Sequence, residues 1–223
     1  MLLSLGISKW DELPVSDLMT RIYDISSRPL VLIDGAGGSG KTVLAAKLGR
    51  CLDANIVATD DVCWCADPIH WDDEVASEII MPWLAGKNVS YRPTGWIKEE
   101  RPGSIDVDPQ KPLIIEGMGA CRKNLRAFAT FSIWVDTEPD VARARVIERD
   151  LAKGDNGGTL ESVAEFTDWW DSVLEPLFVK EEPWKHADVI INGALSDVDS
   201  GKMMVQSVSC SKFDSSQGSK MQS

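Results

Sequence analysis

The chain has 223 residues, 43% of them hydrophobic and 26% charged, which suits one sizeable core rather than several. A formal net charge of −12 would repel a nucleic-acid backbone over most of the surface, and no apolar run approaches the roughly 20 residues of a membrane span. Five cysteines, at 51, 63, 65, 121 and 210, lack paired C-x-x-C spacing and favour neither a disulfide framework nor a zinc site.

The opening Met1–Gly6 has neither the basic start nor the long apolar stretch of a signal peptide, which points to a cytoplasmic protein without nucleic-acid or membrane partners. Within residues 1–28, Val15, Leu18, Met19, Ile22 and Ile25 recur at helical spacing, so this segment reads as a helical extension closed by Arg28-Pro29. Leu30–Asp34 is a branched apolar run of the kind found in buried parallel strands.

Directly after it, Gly35, Ala36, Gly37, Gly38, Ser39, Gly40, Lys41 and Thr42 fit G-x-x-x-x-G-K-[ST], and Val43–Leu48 continues as a good helix former. Strand, glycine loop and helix stand in the order that phosphate binding needs. Glycines let successive backbone N–H groups converge on phosphate oxygens, and the helix adds its positive end. The nucleotide-binding set is therefore Gly35 through Val43, with Lys41 for the β and γ phosphates and the Thr42 hydroxyl for Mg²⁺.

Further apolar runs predict strands at 55–58, 112–116, 131–135 and 188–192, alternating with helices at 41–51, 139–152 and 160–175. This alternation predicts an α/β, three-layer P-loop NTPase fold around a mainly parallel sheet. The main domain spans 29–195, with a lid near 143–160. Residues 60–111 form an insertion with a helix near 73–85 and then a Pro/Gly-punctuated hairpin with loops, where an acceptor site is expected. Residues 196–223, rich in Ser, Lys, Gln and Gly, read as a disordered tail.

Four places offer carboxylates or guanidinium groups for phosphoryl chemistry. Asp60 follows the second strand at the carboxyl edge of the sheet and is the candidate base for an acceptor hydroxyl; Asp61 is its reserve, and a helix-cap role stays open for both. Glu116 ends the third strand and suits a metal-bound water or the attacking hydroxyl, against a turn-capping alternative. Asp34, next to the loop, is open between a structural and a catalytic role. Arg143, Arg145 and Arg149 lie on one helix, and Arg145 and Arg149 share a face that would close over a transferring phosphate or would be a solvated charged face. In the insertion, Asp61, Trp64, Tyr91, Arg92 and Trp96 are candidate acceptor contacts, with Arg92 suited to a phosphate or carboxylate. His70 and His186 share no metal-binding pattern.

The loop, Thr59-Asp60-Asp61, Leu113–Gly117, Arg145–Asp150 and Pro176–Gly193 resemble, in the same order, the uridine kinase and phosphoribulokinase group of P-loop kinases. That resemblance covers about residues 29–193 and implies a five-stranded parallel sheet with a mobile lid. It maps the family's aspartate base onto Asp60 and its lid arginines onto Arg145 and Arg149. Two stretches depart from it. Where the family has Tyr-Asp followed by His and Arg, this chain has Tyr91-Arg92-Pro93-Thr94-Gly95-Trp96, and Lys153–Gly158 lacks the next arginines. The expectation is a kinase using ATP and Mg²⁺ on a hydroxyl of a nucleoside-, nucleotide- or sugar-like small molecule, with a homo-oligomer left open. The alternative is a regulatory P-loop protein without an acceptor.

Overall fold

In the computed structural model, which describes residues 5–207, the elements run as follows. They are β1 (Asp11–Pro14), α1 (Val15–Ile25), β2 (Leu30–Gly35), α2 (Lys41–Leu52), β3 (Asn55–Ala58), α3 (Thr59–Cys63) and α4 (Asp72–Val75). A π turn (Ala76–Ile80) leads to α5 (Met81–Leu84), β4 (Val89–Tyr91), α6 (Thr94–Lys98), β5 (Ile105–Val107) and β6 (Leu113–Glu116). Then come α7 (Lys123–Arg126), β7 (Phe131–Asp136), α8 (Pro139–Lys153), α9 (Leu160–Glu181), α10 (Pro183–His186), β8 (Val189–Asn192) and β9 (Lys202–Ser207).

The main sheet has the order β1-β9-β8-β7-β2-β6-β3. The five strands from β8 to β3 are parallel, and they run nearly unbroken in apolar residues because helices cover both faces. Alternate residues serve opposite layers. Val31, Ile33, Ile133 and Ile191 pack against Leu18 and Ile22 of α1 and Leu44 and Leu48 of α2. Leu30, Leu32, Leu113 and Ile115 face the insertion helices, while Trp134 and Ile190 meet Leu174 and Phe178 of α9.

The structure extends and corrects the sequence reading at both chain ends. The N-terminal extension holds the expected helix α1, but β1 precedes it and pairs antiparallel with β9. Residues 202–207, read from sequence as part of a disordered tail, form β9, which pairs with β8 as well. Met203 and Val205 turn inward and are buried, an alternation too short to stand out among Ser, Lys and Gln. The sheet is thus seven-stranded, with two antiparallel strands beside the five expected. Residues 208–223 of the predicted tail lie outside the described residues.

Two helices run differently from expectation because of proline. The insertion helix passes through a π turn at Ala76–Ile80 just before Pro82, whose ring nitrogen has no hydrogen to give the carbonyl of Glu78. Helix α9 continues through Pro176 to Glu181, where the sequence reading ended it at 175. Leu174 and Phe178, packed on Trp134, outweigh the one backbone bond lost there.

Candidate active site

The glycine loop sits at the carboxyl edge of β2, between β6 and β7, as the central strand's position requires. Gly38 and Gly40 take φ of 73° and 101°, left-handed values that side chains with a Cβ avoid, and these turn the loop's amides toward one point. Helix α2 begins at Lys41, only 7% exposed, whose ammonium donates to the Ala36 carbonyl at 3.1 Å. The Thr137 hydroxyl donates to the Ser39 carbonyl at 2.9 Å and ties the loop to the segment after β7.

Beside the loop, the Thr42 hydroxyl donates to Glu116 Oε2 at 3.2 Å, which joins residues 74 positions apart. Glu116 is 4% exposed; burial pushes its carboxyl above the ordinary range, while Lys41 and the Thr42 hydroxyl pull it back. A desolvated carboxylate next to a hydroxyl is an oxygen donor set that fits Mg²⁺. Asp34 has a different use. It is fully buried, with Oδ1 accepting from the N–H of Gly35 at 2.7 Å and of Gly119 at 2.9 Å, and Oδ2 from that of Cys121 at 2.9 Å. Those bonds tie the loop after β6 to the start of the glycine loop, so Asp34 serves structure.

A cavity of about 1690 Å³ opens in front of these groups, lined by Gly37, Gly38, Gly40 and Lys41 to Val43 on one side. Asp60 and Glu116 also line it, as do Arg143, Arg145 and Arg149 of α8. Arg143 pairs with Asp168 of α9 at 2.7 Å, and Arg145 donates to the Gly193 carbonyl at 3.4 Å. Arg149 is anchored by buried Asp150 at 2.6 Å. Asp61 is turned aside, paired with Arg101 at 2.9 Å. Cys63 is also on the wall; burial, then the Asp60 charge, pushes its thiol up to about 12, which disfavours the thiolate.

Of the residues offered for the acceptor, Trp64 lines this cavity, and Asp61, Tyr91, Arg92 and Trp96 do not. The Tyr91 hydroxyl donates to Glu74, the Arg92 guanidinium to the Arg101 carbonyl at 2.8 Å, and the Trp96 indole to the Asp61 carbonyl at 2.7 Å. These groups are spent within the insertion. The cavity wall instead includes Phe166, Trp169 and Trp170 of α9, an aromatic group that sequence reasoning missed. Their i, i+3, i+4 spacing was the available signal, and it reads equally well as a core stripe. Trp169 is 48% exposed, so it is not core. Among the described residues no group of three or more His, Cys, Asp or Glu is arranged to hold a metal ion, and no helix is long and apolar enough to cross a membrane.

No protein-family model matches the chain. It is 28% identical over 187 residues to the uridine kinase of Proteus mirabilis (strain HI4320), covering 73% of this chain and 85% of that protein. The uridine kinase of Macrococcus caseolyticus (strain JCSC5402) is 27% identical over 190 residues, covering 75% and 89%. Among solved structures, a putative fructose transport system kinase from Silicibacter sp. TM1040 aligns with a TM-score of 0.50 and 21% identity over 69% of this chain and 89% of that one. By sequence the chain is uridine kinase-like, and its fold is the α/β architecture of that solved kinase, a mostly parallel central sheet flanked by helices.

Proposed function

We propose that this chain is a phosphotransferase that moves the γ-phosphoryl group of Mg²⁺-bound ATP onto a hydroxyl of a small ring-bearing acceptor, acting in the cytoplasm. One observation carries the reading: the glycine loop, the Thr42–Glu116 pair, Asp60 and three arginines of α8 share one cavity large enough for a nucleotide and a second molecule.

The work of the residues follows from what each has to offer. The loop amides and Lys41 hold the triphosphate, and Thr42 with Glu116 would hold the metal, which neutralises charge on the phosphates when bound. Asp60 accepts the proton of the acceptor hydroxyl as its oxygen attacks the γ-phosphorus, and the bond to the β–γ bridging oxygen breaks to release ADP. Arg145 and Arg149 balance charge on the group in transit. Positioning supplies much of the rate, since this chemistry needs little covalent help from the protein.

The distribution of charge narrows the acceptor. Cations on the cavity wall come from α2 and α8, the nucleotide side: Lys41, Lys47, Arg143, Arg145, Arg149 and Lys153, with Asp140 and Asp150 of α8 among them. From α3, the segment after it and α9 come Asp60, Trp64, Phe166, Trp169, Asp171 and Glu175. Aromatic faces beside carboxylates suit an uncharged sugar or nucleoside better than its phosphate ester. Arg92, the sequence-level reason for a phosphorylated acceptor, is committed to the Arg101 carbonyl.

Acceptor-dependent ADP release across paired hydroxyl compounds, each with and without a phosphate, tests this reading. The unphosphorylated members are expected to turn over, Lys41→Ala to lose turnover, and Asp60→Asn to keep Mg-ATP binding while losing about 10²- to 10⁴-fold in rate. Mg-ATP uptake with no acceptor-dependent release by any compound would favour a nucleotide sensor instead.

A further inference from the structure

Arg101 belongs to none of the roles above, does not line the cavity, and is the most heavily engaged side chain of the insertion. Its guanidinium carbon lies 3.8 Å from the centroid of the Trp96 ring and 5.2 Å from that of Trp64. One of its nitrogens lies 2.9 Å from Asp61 Oδ1. At the main chain its N–H donates to the Trp96 carbonyl at 2.9 Å, and its own carbonyl accepts from Arg92 at 2.8 Å. Helix α6 reinforces the same grip. The Trp96 indole donates to the Asp61 carbonyl at 2.7 Å, and Gly95 approaches so closely that a Cβ there would lie 1.8 Å from the Trp64 carbonyl oxygen.

Through these contacts Arg101 and α6 grip one short segment, residues 60–64, at Asp61 and Trp64. Its inner side faces the cavity through Asp60 and Trp64. Helix α3 is only five residues long and has no side-chain cap, so its own hydrogen bonds do little to fix its direction. A guanidinium suits this place because it is flat enough to lie along two indoles and forked enough to reach a carboxylate at the same time; a lysine ammonium would keep only the ion pair.

We propose that Arg101 is a positioning residue for phosphoryl transfer: sandwiched between Trp64 and Trp96 and paired with Asp61, it holds Asp60 and the Trp64 ring in register with the acceptor. The proposal rests on the kinase reading above. It assigns the insertion hairpin the task of aiming the base from behind, where its own polar groups do not reach the cavity.

The test measures ADP release and Mg-ATP binding for Arg101→Ala, Arg101→Lys and Asp61→Asn. The rate is taken with the best acceptor of the paired panel or, where none is used, with water as the acceptor. A misplacement of about 1 Å costs on the order of 10²-fold in rate, so Arg101→Ala is expected to lose about 10- to 100-fold in kcat/KM for the acceptor with the Mg-ATP Kd within about twofold of wild type. Arg101→Lys falls between, and Asp61→Asn, which keeps both stacks, loses less than Arg101→Ala. Acrylamide quenching of Trp64, isolated by subtracting the Trp64→Phe signal, is expected to rise in Arg101→Ala even without nucleotide. Unchanged acceptor kinetics, or parallel losses in acceptor turnover and Mg-ATP binding, would overturn the proposal. Wild-type protein that takes up no Mg-ATP would instead remove the kinase reading, and the quenching comparison would still judge whether Arg101 fixes Trp64.

Discussion

Replacing Asp34 by Asn separates the cost of burying a charge at the root of the glycine loop from the value of the bonds it makes. Asp34 is fully buried, and burial lifts its pKa from 3.8 to about 6 against the opposing pull of three backbone N–H groups and the Lys41 charge. The folded state therefore holds this proton more tightly than the unfolded chain. Stability from the protonated group is fully present below the unfolded value and is lost as the pH rises through the folded one. At about 1.4 kcal/mol for each pKa unit, the gap between 3.8 and about 6 is worth about 3 kcal/mol, roughly half of it lost above pH 5. Asparagine nearly matches the protonated carboxyl in shape and does not titrate. In paired urea melts at about pH 5 and about pH 7.5, wild type should lose about 1.5 kcal/mol relative to Asp34→Asn. A difference that stays flat, or moves in favour of wild type as pH rises, would mean that the amides of Gly35, Gly119 and Cys121 outweigh burial, and would refute the reasoning.

Three further outcomes follow from the site. Glu116→Gln should raise the Mg²⁺ concentration needed for half-maximal nucleotide uptake by about tenfold or more, read by calorimetry at graded metal concentrations. Gly193→Ala would set a Cβ 1.9 Å from the Ser39 carbonyl oxygen, so it should cost about 1–3 kcal/mol in a urea melt and weaken Mg-ATP binding, because the atom it strikes belongs to the glycine loop. Trp169→Ala removes a half-exposed ring and should leave the melting midpoint nearly unchanged while raising the KM for the acceptor several-fold, with the Mg-ATP Kd unaltered.

The nucleotide half of the site was legible in the sequence because its chemistry is local. Eight consecutive residues, Gly35–Thr42, fix the backbone turn, the start of α2 and the two side chains proposed to act there, and Leu30–Asp34 announces the strand that carries them. Glu116 could be read in the same way, since the end of an apolar strand beside the loop strand lands at the loop's edge through pairing alone; Ile33 is the register partner of Glu116. β1 and β9 were not legible. β1 has no apolar run and that of β9, Met203-Met204-Val205, is only three residues long; each strand exists because the other pairs with it and because Met203 and Val205 find Leu13 and Leu18 to cover them. Pairing between residues some 190 positions apart leaves no trace in a local pattern.

The far wall of the cavity was less legible for a related reason: residue type there does not decide which way a side chain is used. Tyr91, Arg92 and Trp96 have the chemistry of a recognition site, yet their polar atoms close on Glu74, Arg101 and Asp61 inside the insertion. Phe166 and Trp169 have the spacing of a buried stripe, yet they are 40% and 48% exposed and line the cavity, beside the Arg143–Asp168 pair that joins α8 to α9. Two small choices of partner thus put α9 rather than the hairpin on the wall of the cavity. A chain that keeps its phosphate loop while shifting acceptor recognition from one element to another can change substrate without disturbing Lys41, Thr42, Glu116 or Asp60. This is consistent with a chain that retains those residues while departing from the uridine kinase group at the hairpin.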